Sequence, residues 1–203
     1  MESYLEKIKA WLEGPYDEET KARILDLQKN NIEELKEAFS EELEFGTGGL
    51  RGIMGVGPNR MNKYTVGAAT QGLSNFLKKR FDHSSLAVAV SYDTRNNSQY
   101  FASLAADILS SNGIKVFLFD GPRPTPELSF AVRYFHCKAG IMITASHNPP
   151  EYNGYKVYGE DGGQVVPPDD RLIIEEVRNI SSPTQISFER NEQLINTLDD
   201  KFD

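Results

Sequence analysis

Leu86-Ala87-Val88-Ala89-Val90 is an unbroken apolar run of strand length, and such a run suits a strand covered on both faces. Working outward from it decides the fold. On its C-terminal side Phe101, Leu104, Ala105, Ile108 and Leu109 recur at helical spacing and stop near Asn112-Gly113. Val116-Phe117-Leu118-Phe119 then supplies a second strand. Thr125-Pro126-Glu127 reads as a helix start, with Thr125 as cap and Pro126 as the first helical residue, leading into Leu128 to Phe135. A third strand follows at Ala139 to Thr144.

On the N-terminal side, Val66, Ala69, Leu73, Phe76 and Leu77 form the stripe of an amphipathic helix. Before it lies Phe45-Gly46-Thr47-Gly48-Gly49-Leu50-Arg51-Gly52-Ile53-Met54-Gly55, whose glycines allow backbone closed to other residues; it reads as a loop feeding a short strand. Residues 1–43 read as several short helices, from Leu5, Ile8 and Leu12 and, after a cap at Asn31, Ile32, Leu35 and Phe39. Beyond residue 150, Gly154 to Tyr158 reads as an edge strand, Asp161-Gly162-Gly163 as a turn and Leu172 to Val177 as a last helix.

Alternating strands and helices predict an α/β fold: a mixed, mainly parallel sheet sandwiched between helices, with an N-terminal helical extension. The expected boundaries are a helical extension over 1–43, an α/β domain over 44–180, and over 181–203 a polar, weakly patterned connector leading out of the domain.

At 203 residues the chain has room for one principal core, and 39% hydrophobic residues suffice to fill it. The net charge of −8 is spread along the chain with no Lys/Arg cluster among aromatics, which argues against nucleic acid. No apolar run reaches spanning length and the N-terminus lacks a signal-peptide core, so no membrane partner and a cytoplasmic location are expected. The single cysteine, Cys137, reads as a buried structural residue.

The densest chemistry lies in Thr144-Ala145-Ser146-His147-Asn148-Pro149-Pro150-Glu151-Tyr152-Asn153-Gly154-Tyr155-Lys156, directly after a buried strand, where open α/β sheets collect ligands. A hydroxyl, an imidazole, an amide and an ammonium within thirteen residues suit phosphate on or near Ser146. A polar turn in which Ser146 or Asn148 caps backbone accounts for the residues equally well. No Gly-x-Ser-x-Gly elbow surrounds Ser146, which argues against a serine hydrolase. The glycine segment with Arg51 could present N–H groups and a guanidinium fork to an anion, yet it is neither a dinucleotide fingerprint nor a Walker loop. Asp93-Thr94-Arg95 also follows a buried strand, so Arg95 could reach the same sheet end, or Asp93 could simply cap the next helix. No carboxylate cluster suggests a complete metal site.

Thr144-Ala145-Ser146-His147-Asn148-Pro149 resembles the active-serine loop of the α-D-phosphohexomutases, the phosphoglucomutase and phosphomannomutase family. Phe45 to Gly52, Asp93-Thr94-Arg95 and Asn153-Gly154-Tyr155-Lys156 resemble further segments of that family in the same order, and the likeness covers roughly residues 44–170. The helical lead and the Phe-Gly-Thr-Gly-Gly-Leu-Arg form look most like the branch containing phosphoglucomutase-2 and the phosphopentomutase-like enzymes. The resemblance implies an enzyme that interconverts sugar 1-phosphate and sugar 6-phosphate, with glucose or mannose as the sugar, through a phosphoserine and a bisphosphate intermediate. A phosphopentomutase of the same family and a non-catalytic phosphosugar-binding module are the alternatives.

By similarity, Ser146 would carry the phosphoryl group, Lys156 would assist proton transfer, Arg51 would contact phosphoryl oxygens and His147 would shape the catalytic loop. Thr47, Arg95 and Asn148 would bind substrate or phosphate. Mg²⁺ would touch Ser146 through its phosphate, and a glucose 1,6-bisphosphate type of activator would be required. The family's Asp-Gly-Asp-Gly-Asp-Arg metal loop is missing, since Asp-Gly occurs only at 120–121 and 161–162. The chain is therefore expected to be the N-terminal domain alone, inactive by itself and partnered in the whole enzyme by C-terminal domains it lacks.

Overall fold

The structure, a computed structural model, describes residues 3–46 and 49–202. Three helices come first: α1 (Tyr4–Glu13), α2 (Glu18–Asn30) and α3 (Ile32–Ser40). Each begins on a side chain that accepts an otherwise unpaired first-turn N–H, namely Ser3, Asp17 and Asn31, the last as expected. Strand β1 (Gly49–Ile53) then leads into α4 (Lys63–Arg80), and β2 (Ala87–Tyr92), α5 (Ser98–Ser111), β3 (Lys115–Phe119), α6 (Thr125–Tyr134) and β4 (Ala139–Ile143) alternate after it. β5 (Tyr152–Gly159), α7 (Asp169–Arg178) and β6 (Ile195–Leu198) complete the chain.

The six strands form one sheet in the order β1-β5-β4-β2-β3-β6. β4, β2, β3 and β6 run parallel, whereas β5 is antiparallel to both β4 and β1. The sheet is thus mixed and mainly parallel, as the sequence predicts. Every residue of β2 is buried, and strand alternation explains why its apolar run is continuous. Val88 and Val90 pack into one core with α4, α5 and Ile173 of α7, while Ala87 and Ala89 pack into another with Leu128, Ala131 and Val132 of α6. Cys137 lies in the second core, where burial pushes its thiol up to about 12.

A third cluster joins the N-terminal helices to the sheet domain through Ile8, Trp11, Leu35, Phe39 and Tyr64, the last on the first turn of α4. Trp11 stacks on Tyr16 at 4.2 Å between centroids. The Tyr64 hydroxyl donates to Asp17 Oδ2 at 2.8 Å and accepts from the Asp17 backbone N–H at 2.8 Å. No helix among the described residues is long and apolar enough to cross a membrane.

Four local expectations need correction. Thr125 is not the cap of α6. Pro124 holds that place on extended backbone, and Thr125 and Pro126 occupy the first turn, where an absent proline N–H costs no intrahelical bond. β5 is an interior strand, because β1 pairs along its outer side, Arg51 opposite Gly154. Residues 195–198, expected within a connector, extend the sheet beside β3; a four-residue edge strand needs little apolar pattern, since only part of it is covered. Asp93 does not cap α5, whose cap position is Asn97 in the left-handed region; its carboxylate accepts instead from the Arg95 backbone N–H and the Ser98 hydroxyl.

Candidate active site at the Ser146 loop

The loop from Thr144 to Glu151 connects β4 to β5 at the C-terminal end of β4. Thr144 stays paired with β5, its N–H donating to Gly154 O at 2.9 Å, while its buried hydroxyl accepts the Ser146 N–H at 3.0 Å. Asn148 N–H to Ala145 O at 3.1 Å and Tyr152 N–H to Pro149 O at 3.0 Å close two successive turns. Between them Ser146 adopts φ +57°. Left-handed backbone costs a non-glycine residue about 1–2 kcal/mol and persists only where its surroundings impose it. The conformation leaves the Ser146 side chain exposed, with Oγ 3.3 Å from His147 Nδ1.

Arg95 supplies much of that imposition. Its Nη2 donates to Ser146 O at 2.7 Å and to Asn148 O at 2.6 Å, and its Nη1 to Pro149 O at 3.0 Å and Tyr152 O at 3.3 Å. Its Nε lies 3.5 Å from Asp93 Oδ2. The guanidinium expected at a phosphate is thus turned toward the backbone of the loop.

Arg51 reaches the loop from β1. Its Nη1 donates to Asn148 Oδ1 at 3.2 Å, so the two residues meet across the sheet edge with the arginine exposed. Gly49 makes the approach of β1 possible: at φ +138° a Cβ there would fall 1.8 Å from Tyr155 O. Lys156, half-buried on β5, has its ammonium pushed below the usual lysine range, first by burial and then by the Arg51 charge, with Asp93 opposing. Ser146, His147, Asn148, Arg51 and Arg95 are brought into one hydrogen-bonded group, and Lys156 joins it electrostatically. Thr47 lies outside the described residues.

Sequence reasoning did not single out Asn153 and Ser98 as part of this group. The buried Asn153 amide donates to Asn96 O and Ser98 Oγ, both at 3.0 Å, and accepts from Gly154 N–H at 2.8 Å. A polar residue next to a glycine within a strand was the available signal, because a buried amide must find partners.

Among the described residues no group of three His, Cys, Asp or Glu side chains could hold a metal. Asp93, the carboxylate tied to this group, already accepts from Arg95 and Ser98. The residues present therefore do not fit a magnesium site of their own.

The family model described as phosphoglucomutase/phosphomannomutase, alpha/beta/alpha domain I matches residues 42–184. A phosphoglucomutase of Staphylococcus haemolyticus is 43% identical over 185 residues, 90% of this chain and 33% of the relative. A phosphoglucomutase of Staphylococcus aureus is 42% identical over 166 residues, 82% of this chain and 30% of the relative. The chain thus spans about a third of the length of these relatives. Among solved structures, a protein described as a phosphomannomutase from Thermus thermophilus superposes with a TM-score of 0.67 at 33% identity, over 78% of this chain and 33% of that one. Parafusin from Paramecium, in its open form, shares the fold at 19% identity and a TM-score of 0.57, over 77% of this chain and 33% of its own.

Proposed function

Because the chain belongs to the phosphoglucomutase/phosphomannomutase family, whose domain I it carries over residues 42–184, we propose that Ser146 is the phosphoryl carrier of a mutase interconverting sugar 1-phosphate and sugar 6-phosphate. Glucose or mannose is the proposed sugar. The observation that carries this reading is the exposed Ser146 hydroxyl, held on strained left-handed backbone at the C-terminal end of a buried strand.

In the proposed step a free hydroxyl of the sugar monophosphate attacks the phosphorus of phospho-Ser146. The new sugar O–P bond forms as the Oγ–P bond breaks, giving a sugar bisphosphate and an unmodified serine. Lys156, favoured toward its neutral form by burial and by Arg51, takes the attacking hydroxyl's proton and returns one to Ser146 Oγ. The bisphosphate reorients and the reverse step moves its other phosphoryl group to Ser146. Arg51 offers a charged fork to phosphoryl oxygens, and His147 stands beside Oγ. A sugar 1,6-bisphosphate would prime an unphosphorylated Ser146.

The proposed working unit is the α/β domain over 44–180 together with β6, which completes its sheet, with 1–43 as its helical extension and the rest of 181–203 leading toward further domains of the mutase. The reading implies a cytoplasmic enzyme whose partners are phosphosugars, neither nucleic acid nor membrane; the net charge of −8 speaks against the polyanionic partners.

The test uses the complete gene product in coupled assays with glucose 1-phosphate, mannose 1-phosphate and ribose 1-phosphate, beside Ser146→Ala. Loss of about a thousandfold in turnover in the variant is expected. Undiminished turnover would reduce Ser146 to a loop residue.

A further inference from the structure

We infer that Arg95 is a positioning residue: it holds the backbone of the Ser146 loop in the one conformation from which the serine hydroxyl can exchange a phosphoryl group, and it does not itself bind phosphate. The inference rests on the proposed role of Ser146 for its catalytic consequence, but not for its structural one.

A guanidinium has two hydrogens on each Nη and one on Nε. Here the Nη hydrogens are spent on the carbonyls of Ser146, Asn148, Pro149 and Tyr152, at 2.7, 2.6, 3.0 and 3.3 Å. The Nε side faces Asp93 Oδ2 at 3.5 Å. The side chain is only 14% exposed. A donor set already bound to the loop's own carbonyls has none left to present to an incoming phosphate.

The bonded carbonyls bracket both turns of the loop, from the residue in left-handed backbone to the first residue of β5. A planar fork with fixed donor directions can meet that array, whereas an ammonium, one nitrogen at the end of a flexible stem, cannot span it. The anchor of the fork is equally specific. Asp93 Oδ1 accepts from the Arg95 backbone N–H at 3.0 Å and from Ser98 Oγ at 2.7 Å, so the carboxylate is fixed to the start of α5. Ser98 Oγ in turn accepts from Asn153 Nδ2 at 3.0 Å, which ties the far end of the loop to the same helix. The loop is thereby referenced to α5 at both ends.

Left-handed backbone at a serine relaxes unless something holds it, and the carbonyl following that strained φ is the one Arg95 Nη2 holds. Misplacing a reacting atom by about 1 Å lowers rate much more than binding. Loss of the fork should therefore act on turnover rather than on affinity.

The experiment has two arms on Arg95→Lys. In the first, amide hydrogen exchange is followed on this chain: the hydrogen-bonded loop amides of Ser146, Asn148 and Tyr152 are expected to exchange about tenfold faster or more, with those of β2 and α5 unchanged. Unchanged exchange in the loop would overturn the inference. If β2 and α5 exchange globally and so report a failed fold, Asp93→Asn, which keeps the guanidinium but removes its charged anchor, is measured instead; about threefold faster loop exchange is expected, and none would be equally fatal. In the second arm the complete gene product should lose about tenfold or more in kcat with KM changed by less than about twofold. A rise in KM at constant kcat would mark Arg95 as a phosphate ligand and overturn the proposal. Ser146→Ala in the same assay separates the two ideas: if it retains turnover, the phosphoserine reading fails while the exchange arm still decides whether Arg95 holds the loop.

Discussion

Arg51 Nη1 donates to Asn148 Oδ1 at 3.2 Å, joining a glycine-rich strand to the serine loop across 97 positions of sequence. The bond aims a charged fork at the loop while keeping it exposed, and it sets the guanidinium close enough to Lys156 to act on its proton. Asn148, expected as a phosphate contact, accepts this hydrogen bond through its side-chain amide oxygen.

Lys156 should therefore titrate below ordinary lysines, and its neighbours should tune it in opposite directions. Arg51→Gln removes a like charge and is expected to raise the Lys156 pKa; Asp93→Asn removes an opposing one and is expected to lower it further. Because the folded pKa is depressed, folding disfavours the charged lysine at neutral pH, and this small penalty fades as pH rises through the folded pKa. Lysine ¹³C-ε chemical shifts followed against pH check both shifts; identical titration in the two variants would contradict the cause assigned here.

At Ser146 stability and chemistry should pull apart. A glycine accepts φ +57° without strain, so Ser146→Gly is expected to be more stable than Ser146→Ala by about 1 kcal/mol. Both lack the hydroxyl and should be equally inactive in the complete enzyme. Urea denaturation of the two variants reads the difference, and equal stability would show that the left-handed backbone is not strained.

Gly154 marks how tightly β5 is held. A Cβ at this position would lie 2.5 Å from Thr144 O and 3.1 Å from Leu50 O, both backbone atoms of flanking segments that cannot rotate away. Gly154→Ala should cost about 2–3 kcal/mol and bring Tm down by several degrees. Calorimetry checks it, and a neutral effect would mean that the sheet spreads at little cost.

The anchor of the N-terminal helices should be acid-sensitive. Burial alone would raise Asp17, but hydrogen bonds from Thr20, Tyr64 and Lys63 outweigh it and bring the carboxyl down to about 2. A folded pKa below the unfolded one gives stability that is present above the unfolded value and is lost as pH falls toward 2. Asp17 is 40% exposed, so screening limits the contribution to about 1 kcal/mol at neutral pH. Asp17→Asn should be less stable than the parent chain by that amount at pH 7, with most of the difference gone near pH 2, where the folded carboxyl is half protonated, as followed by denaturant titration at both values.

The sequence by itself determined the parts whose physics is local. A continuous apolar run such as 86–90 suits a strand between two covering layers, and amphipathic stripes at helical spacing have one face to bury; those two patterns place β2, α4 and α5, and the proline-bearing start at 125–127 places α6. The loop after β4 was legible because hydroxyl, imidazole, amide and ammonium groups crowd at a sheet end. Only the tertiary structure decided what depends on partners distant in sequence. Whether β5 lies at an edge turns on where β1 lands, and that in turn rests on close backbone approaches at Gly49 and Gly154. Whether Arg95 meets phosphate or carbonyls turns on the path of a loop more than 50 positions away, and periodicity carries no information about where a guanidinium finds its acceptors.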